Sequence, residues 1–502
     1  MMQYQKVLKT NLKTNIGIGL ITLFLSILGY ILYVFMLFLI SANKDYNSLV
    51  FLFSWLGVFL AAYIVITWYK ITGYIFSPYI IFMLFFLLFN YGQSLMWAFG
   101  VHIPTEIGQT PLFVGFDVAS DADIIKAQAL TLISILMFHL GAVISSKKIK
   151  IRPRGRKPSV DENNKSAILK SIYYSSLLLG LIIIPNTLFQ AYSDFQTAMV
   201  HGYKSLYYSE FANTDATIFA LLRRMFFPCL VGLLIGSRYN KKVKISVYII
   251  FSIYLMLNLL SGDRGSWLYK IFILIWLSHA CYKPIKFRGG FKYSLFATLV
   301  LYITYAIVSL RDIGLSNITI SNLTESLSFE NSVFIKPFFE MGVSMSPTII
   351  LQKYGWDVWP YANTYVLAVL GMVTNKVIYA LDIPFSIISS WFSQDYLGIS
   401  YGAGFSIIAE ALLNFGPLIA PLFMILLGYV ISSLIFVDKN LNYKKRPLRL
   451  LFVVTTLHAI TPVTRNYFQL LLKDWFYGVV LFLIFIILFK KIFLNQKHTS
   501  MS

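Results

Sequence analysis

Five arginines stand at the edges of long apolar runs: Arg223 and Arg224 in "LLRRMFF", Arg264 in "LLSGDRGSWL", Arg311 in "SLRDIG" and Arg465 in "PVTRNYF". Lipid solvates no guanidinium, so each must face water at a membrane surface or line a polar cavity. Ion pairing with a neighbouring acid is the plainer account of any single one. A shared cavity is the better account of all five, because each adjoins the end of an apolar run rather than a loop tip. A guanidinium keeps its charge at every relevant pH and offers a planar fork of donors, which suits the oxygens of a diphosphate held beside lipid. Glu340 and Glu410 are the candidates for a general base acting on a hydroxyl next to such an anion, with Asp312 and His458 behind them. Each could equally be the ion-pair partner of a nearby arginine.

The elements that must position these residues are membrane spans. With 58% hydrophobic, 17% aromatic and 13% charged residues and a mean hydropathy of +0.70, the chain is far too apolar for a soluble globular protein. Apolar stretches of about 16 to 25 residues, enough to cross ~30 Å of hydrocarbon with some tilt, run over 16–40, 49–68, 75–97, 124–145, 168–189, 218–235, 245–260, 265–281, 293–310, 405–436, 448–462 and 475–489. The sequence therefore predicts an all-α integral membrane protein with about twelve transmembrane helices, forming a single polytopic domain over 1–502. The first stretch is too long for a cleaved signal and no small-residue cleavage pattern follows it. Cys229 and Cys281 lie far apart in or beside apolar runs, which offers neither a disulfide framework nor a thiolate metal site. The net charge of +21 would suggest nucleic acid in a soluble protein; in a membrane protein it reflects basic cytoplasmic loops, and no nucleic-acid partner is expected.

Orientation follows from the lysines and arginines. With Lys6, Lys9 and Lys13 placed in the cytoplasm, every even-numbered connection should be basic. The segments "SSKKIKIRPRGRKPS", "SRYNKKVK", "YKPIKFRGGFK" and "DKNLNYKKRPLR" occupy those positions, and "KKIFLNQKH" follows the last span. Odd-numbered connections hold most of the acids, among them Glu106, Asp117, Asp121, Asp194, Glu325 and Asp395. Both termini are accordingly expected in the cytoplasm and the five arginines at the opposite, outer face.

One outer connection, residues 311–404 between the ninth and tenth spans, is about 90 residues long, a length that usually carries function or its own structure. Its segments "VFIKPFFEMGVSMSPTII" and "TYVLAVLGMVTNKVIYAL" are apolar enough for short or re-entrant helices. Around them stand Tyr354, Trp356, Trp359, Tyr361, Trp391, Tyr396 and Tyr401, which could stack on pyranose faces but more commonly serve as interfacial anchors. A sugar-bearing polyprenyl diphosphate meets these demands together: tail in the bilayer, diphosphate at the arginines, sugars in water. The reaction it allows is attack of a sugar hydroxyl on the anomeric carbon of another chain as the lipid diphosphate leaves. Cations at the leaving group stabilise that transition state more than the ground state. No Asp-x-Asp pair opens an outward loop and no His/Glu ligand cluster stands out, so no metal site is expected, the arginines are expected to replace a divalent ion, and no cofactor is expected.

At these residues the chain resembles a known family. "LLSGDRGSWL" resembles the Arg-Gly signature at a span boundary in the Wzy family of O-antigen and oligosaccharide repeat-unit polymerases, and "GISYGAGFSIIAEALLNFGPLIAPLFMILLG" is similar to that family's small-residue stretch, Ala-Glu and later Asn-Phe-Gly after the large outer loop. The resemblance implies a GT-C-like glycosyltransferase that polymerises undecaprenyl-diphosphate-linked repeats into O-antigen or capsule-type polysaccharide at the outer face of the bacterial cytoplasmic membrane. It carries over Arg264, Gly265, Glu410, Asn414 and Gly416, and names a chain-length regulator and a flippase as candidate partners. An O-antigen ligase shares the chemistry and differs in its acceptor. A lipid-linked oligosaccharide flippase or sugar transporter has similar length, and "SGDRGS" faintly resembles the Asp-Arg loop of major-facilitator carriers. That loop, however, is cytoplasmic and follows the second span.

Overall fold

Continuous apolar sequence leaves the backbone no water to bond, so helices, which satisfy every internal N–H and C=O, are the expected outcome. The computed structural model describes residues 2–40, 46–151, 162–201, 218–261, 267–284, 335–438 and 441–499. Within these residues the architecture is all-helical, with isolated β-bridges and no strand. The helices are α1 (Met2–Leu39), α2 (Asn47–Thr72), α3 (Pro78–Trp97), α4 (Asp121–Ile151), α5 (Glu162–His201), α6 (Ile218–Arg223), α7 (Phe226–Gly236), α8 (Lys241–Ser261) and α9 (Leu268–Cys281). Then follow α10 (Lys336–Gly342), α11 (Ser346–Tyr354), α12 (Thr364–Leu370), α13 (Lys376–Ala380), α14 (Ile407–Leu434), α15 (Pro447–Ile460), α16 (Phe468–Trp475) and α17 (Phe482–Thr499). Nine helical segments among the described residues are long and apolar enough to cross a membrane, and Phe226–Gly236 and Leu268–Ala280 are shorter apolar helices. The chain is a multi-pass membrane protein. The expected ninth span, 293–310, lies outside the described residues.

Two expected spans are built differently. The stretch 218–235 is two helices, α6 and α7, separated by a tight turn in which the Arg224 and Met225 N–H groups donate to Leu221 and Leu222 carbonyls at 3.3 and 2.8 Å. Pro228 explains the break: its ring would clash with the Arg224 carbonyl in a continuous helix, but is tolerated in the first turn of a new one. The last span begins earlier than residue 475, because α16 runs on through a π turn (Phe476–Leu481) into α17, placing Lys473 and Asp474 inside a helix.

The helices form two groups. In one, α4 packs on α14, and α1, α2 and α3 surround that pair. Gly141 and Gly428 let α4 and α14 approach until a Cβ at either would collide with the facing backbone, and Ser145 and Ser432 share a 2.7 Å hydrogen bond across the contact. Buried His139 joins α2, α3 and α4, within 2.8 Å of the Thr67 hydroxyl and 2.9 Å of the Tyr79 hydroxyl. In the second group α5 packs against α7, α8 and α17. Helix α15 touches both groups, α3 packs on α15, and α9 packs on α3 and α15. The short helices α10 and α11 lie on α3 and α4, and α12 lies on α16.

Candidate functional site

Helices α5, α7 and α8 of the second group, with α6, α9, α15 and α16, line a polar cavity of about 360 Å³. Helix α5 contributes Gln190 and Asp194, the α6–α7 turn Arg223 and Arg224, α8 Tyr254 and Asn258, α9 Tyr269 and Lys270, α15 His458 and α16 Asp474. Three cationic side chains thus face two carboxylates. Arg223 donates to Gln190 Oε1 at 3.0 Å, and Gln190 in turn donates to Asp194 at 2.9 Å. Arg224 pairs with Asp474, while its Nε and the Nδ1 of His458 find no partner among the described residues. Lys270, 7% exposed, donates to the Tyr254 hydroxyl at 2.8 Å and lies 4.8 Å from the centre of that ring. The His458 ring packs 4.5 Å from Phe227 and 5.6 Å from Tyr269. Gathered cations, one of them Arg224 with its Nε unpartnered among the described residues, in a space walled by aromatic rings, form an environment that favours anionic oxygens. The break between α6 and α7 is what turns both arginines into it.

Glu410 belongs to a different arrangement. Ser406 caps α14 by accepting from the Ala409 N–H at 3.1 Å, which sets Glu410 in the first turn, 1% exposed. One carboxylate oxygen accepts from the Thr364 hydroxyl at 2.7 Å and the other from the Phe468 N–H at 2.6 Å. Asn414, one turn on, accepts from the Thr364 N–H at 2.8 Å and donates to the Thr364 hydroxyl and the Glu410 carbonyl, both at 2.7 Å. This node ties together the starts of α12, α14 and α16. Two residues after Asn414 the helix breaks at Gly416, whose φ of 69° and ψ of 174° only glycine adopts readily. A Cβ there would lie 2.9 Å from the Trp356 ring.

The structure therefore brings Arg223 and Arg224 together in one cavity and joins Glu410 to Asn414 and Gly416, with Glu410 lining a different cavity. Arg465 is exposed, lines neither, and holds its guanidinium 5.8 Å from the Phe89 ring centre. Glu340 is half-buried on α10, which is held against α3 by a Gly92–Gly342 contact and a 2.8 Å bond from Gln93 to the Phe339 carbonyl. Arg264, Gly265, Arg311 and Asp312 lie outside the described residues. Among the loop aromatics, Trp359, Trp391 and Tyr396 pack on one another, with ring centres 4.7 Å apart for the tryptophans and 5.4 Å for Trp391 and Tyr396. Tyr354 and Trp356 are the more exposed. Sequence reading missed Lys270, although a lone lysine in an apolar run was itself a signal.

Metal-type residues are used structurally where they gather. Asp123 accepts from the Ser120 N–H and hydroxyl at 3.0 and 2.8 Å and pairs with Lys353 at 3.3 Å, while Asp121 accepts from the Tyr46 N–H at 3.2 Å. Among the described residues no three His, Cys, Asp or Glu side chains converge.

The long apolar helices, with cationic side chains held between several of them, define a multi-pass membrane protein. A profile of the family described as O-antigen polysaccharide polymerase Wzy matches residues 20–497, nearly the whole chain. The chain belongs to that family, whose members are polymerising enzymes of the glycosyltransferase type acting on lipid-linked oligosaccharide in a membrane. No curated protein and no solved structure matches it.

Proposed function

We propose that the protein polymerises undecaprenyl-diphosphate-linked repeat units at the outer face of the cytoplasmic membrane, with the cavity between α5 and α9 holding the leaving diphosphate. The observation that carries this reading is the convergence of Arg223, Arg224 and Lys270 on one 360 Å³ space. As the anomeric C–O bond breaks, negative charge collects on the diphosphate, and cations already gathered in the cavity stabilise it. In this reading Arg224 exchanges part of its contact with Asp474 for the anion, and the three cations stand where other enzymes place a divalent ion. Asn258 and Lys270 are each six positions from Arg264 in sequence, and Arg264 is proposed to join the same site. Arg311 is proposed to contact the same substrate, and Arg465, which does not line this cavity, to meet it elsewhere. Glu340 or Glu410 is proposed to serve the attacking hydroxyl. Glu410 enters only if the Thr364 and Phe468 contacts open, so as observed it supports a positioning role more directly.

Supplying the purified protein with lipid-linked repeats tests the reading. The expected product is a ladder of lipid-linked chains; transfer of single repeats to a different acceptor, with no ladder, would mark a ligase instead. The outer face is tested separately by single cysteines. Positions 121 and 356 should react with an impermeant reagent in intact cells and positions 152 and 444 should not; labelling at 152 would overturn the orientation.

A further inference from the structure

The polar cavity has a neighbour along α5 and α8. Below it, on the same helices, lies a second cavity of about 390 Å³ lined by Leu177, Gly180, Ile184 and Pro185 of α5, Leu233 of α7 and Val247 and Ile250 of α8, among others. On α5 the lining positions 173, 177, 180, 184, 187, 191 and 194 step by three or four residues, so both cavities lie along one face of one helix. On α8 the positions 243, 247, 250, 254 and 258 do the same. The polar residues Gln190, Asp194 and Asn258 line the first cavity and mainly aliphatic ones the second, whose lining also includes Lys242 and Ser246 near the start of α8. From residue 173 to 194 the face extends about 32 Å at 1.5 Å per residue, close to the thickness of a hydrocarbon layer. Leu181, 65% exposed, stands at its open flank, so the apolar part faces the surroundings of the bundle rather than its interior. A cationic chamber with a mainly aliphatic crevice along the same helices is complementary to an amphiphile with a multiply anionic head and a long apolar tail.

We propose that the α5–α8 crevice is the binding site for the polyprenyl tail of the substrate, with the diphosphate in the cavity above; this rests on the proposed function and extends it to the lipid. The larger apolar groove of about 840 Å³ between α1, α2 and α4 serves as the contrast, since its lining, from Leu25 to Leu136, includes no charged side chain to hold an anionic head.

The test uses the full-length protein in lipid nanodiscs and a polyprenyl diphosphate with a diazirine in its tail. After irradiation, labelled peptides should map to α5 around 177–185 and α8 around 243–250. The label should disappear with excess unlabelled undecaprenyl diphosphate and persist with excess phosphatidylglycerol. Labelling confined to the α1–α2–α4 groove would overturn the proposal, and so would equal displacement by phosphatidylglycerol, which would mark an ordinary lipid contact. Filling the crevice by Gly180→Phe or, separately, Ile250→Trp should raise KM for the full-length tail about tenfold and leave KM for a two-isoprene tail within about twofold, since only the long tail loses apolar contact. Leu32→Trp in the other groove should change neither. Equal effects on both tail lengths would count against the crevice. Mapping needs no turnover, so a protein that labels here but builds no ladder would lose the polymerase reading and keep the tail site, and the reverse result would separate them the other way.

Discussion

Arg224 is the residue at which a structural and a chemical role can be told apart by experiment. Its pair with Asp474 is partly shielded, at 23% and 22% side-chain exposure. Arg224→Ala leaves Asp474 without that cation, which would cost about 3 to 5 kcal/mol in a dry interior and about 1 to 2 kcal/mol here, where water still reaches both groups. A cation contact made to the departing diphosphate is worth a further ~2 to 4 kcal/mol of barrier, roughly 30- to 1000-fold in rate. Arg224→Lys keeps the charge but loses the fork, so its rate should fall nearly as far as that of Arg224→Ala. The double variant Arg224→Ala/Asp474→Ala removes the stranded carboxylate and should recover most of the stability. Its rate should stay at least about 30-fold below wild type, because the missing contact is with substrate. Initial rates of ladder formation and thermal midpoints in detergent would be measured on the same preparations. A double variant within about threefold of the wild-type rate would refute the reasoning and reduce Arg224 to an ion-pair partner.

The Glu410 node gives a second set of expectations. Thr364→Val keeps the shape of the side chain but strands a Glu410 oxygen and an Asn414 N–H, and should lower stability by about 2 to 4 kcal/mol in a denaturant titration, with no change meaning that the node carries no weight. Glu410→Gln keeps one acceptor and should reduce the rate by less than about tenfold if the residue positions helices, whereas a loss above about 1000-fold would identify it as the base. Gly416→Ala meets both an unfavourable backbone conformation and the Trp356 ring, so a loss of about 2 to 4 kcal/mol is expected, partly relieved by Trp356→Ala. If cations stand in for a metal, ladder formation should survive exhaustive chelation; loss with EDTA restored by magnesium would show that a divalent ion takes part.

Much of the fold was legible because hydropathy is a local property. Segments such as 49–68 and 124–145 lie within α2 and α4, since a long apolar run has only one way to satisfy its backbone in lipid. The errors fell where side chains override hydropathy. The run 218–235 reads as one span, yet Pro228 and the turn of Arg223 and Arg224 toward Gln190 and Asp474 divide it. Residues 468–474 read as connection because Lys473 and Asp474 interrupt the apolar pattern, yet they form α16: Asp474 meets Arg224, and Lys473 donates to Asn375 at 2.7 Å.

Sequence alone determined the class of this protein and its all-helical make-up, and its motifs resembled the family, pointing to Glu410, Asn414 and Gly416, while Arg223 and Arg224 stood out as charges at the ends of apolar runs. The class and the arginines need only the cost of putting backbone or charge into lipid; the rest came from the resemblance of short motifs. Which of these residues share a site was decided by tertiary packing alone. Arg224 meets Asp474 across 250 positions of sequence, and Glu410 reaches Thr364 across 46 and Phe468 across 58. Such pairings depend on which helices lie side by side, and that is settled by surfaces such as the Gly141 and Gly428 contact between α4 and α14, where the absence of a side chain lets two backbones meet.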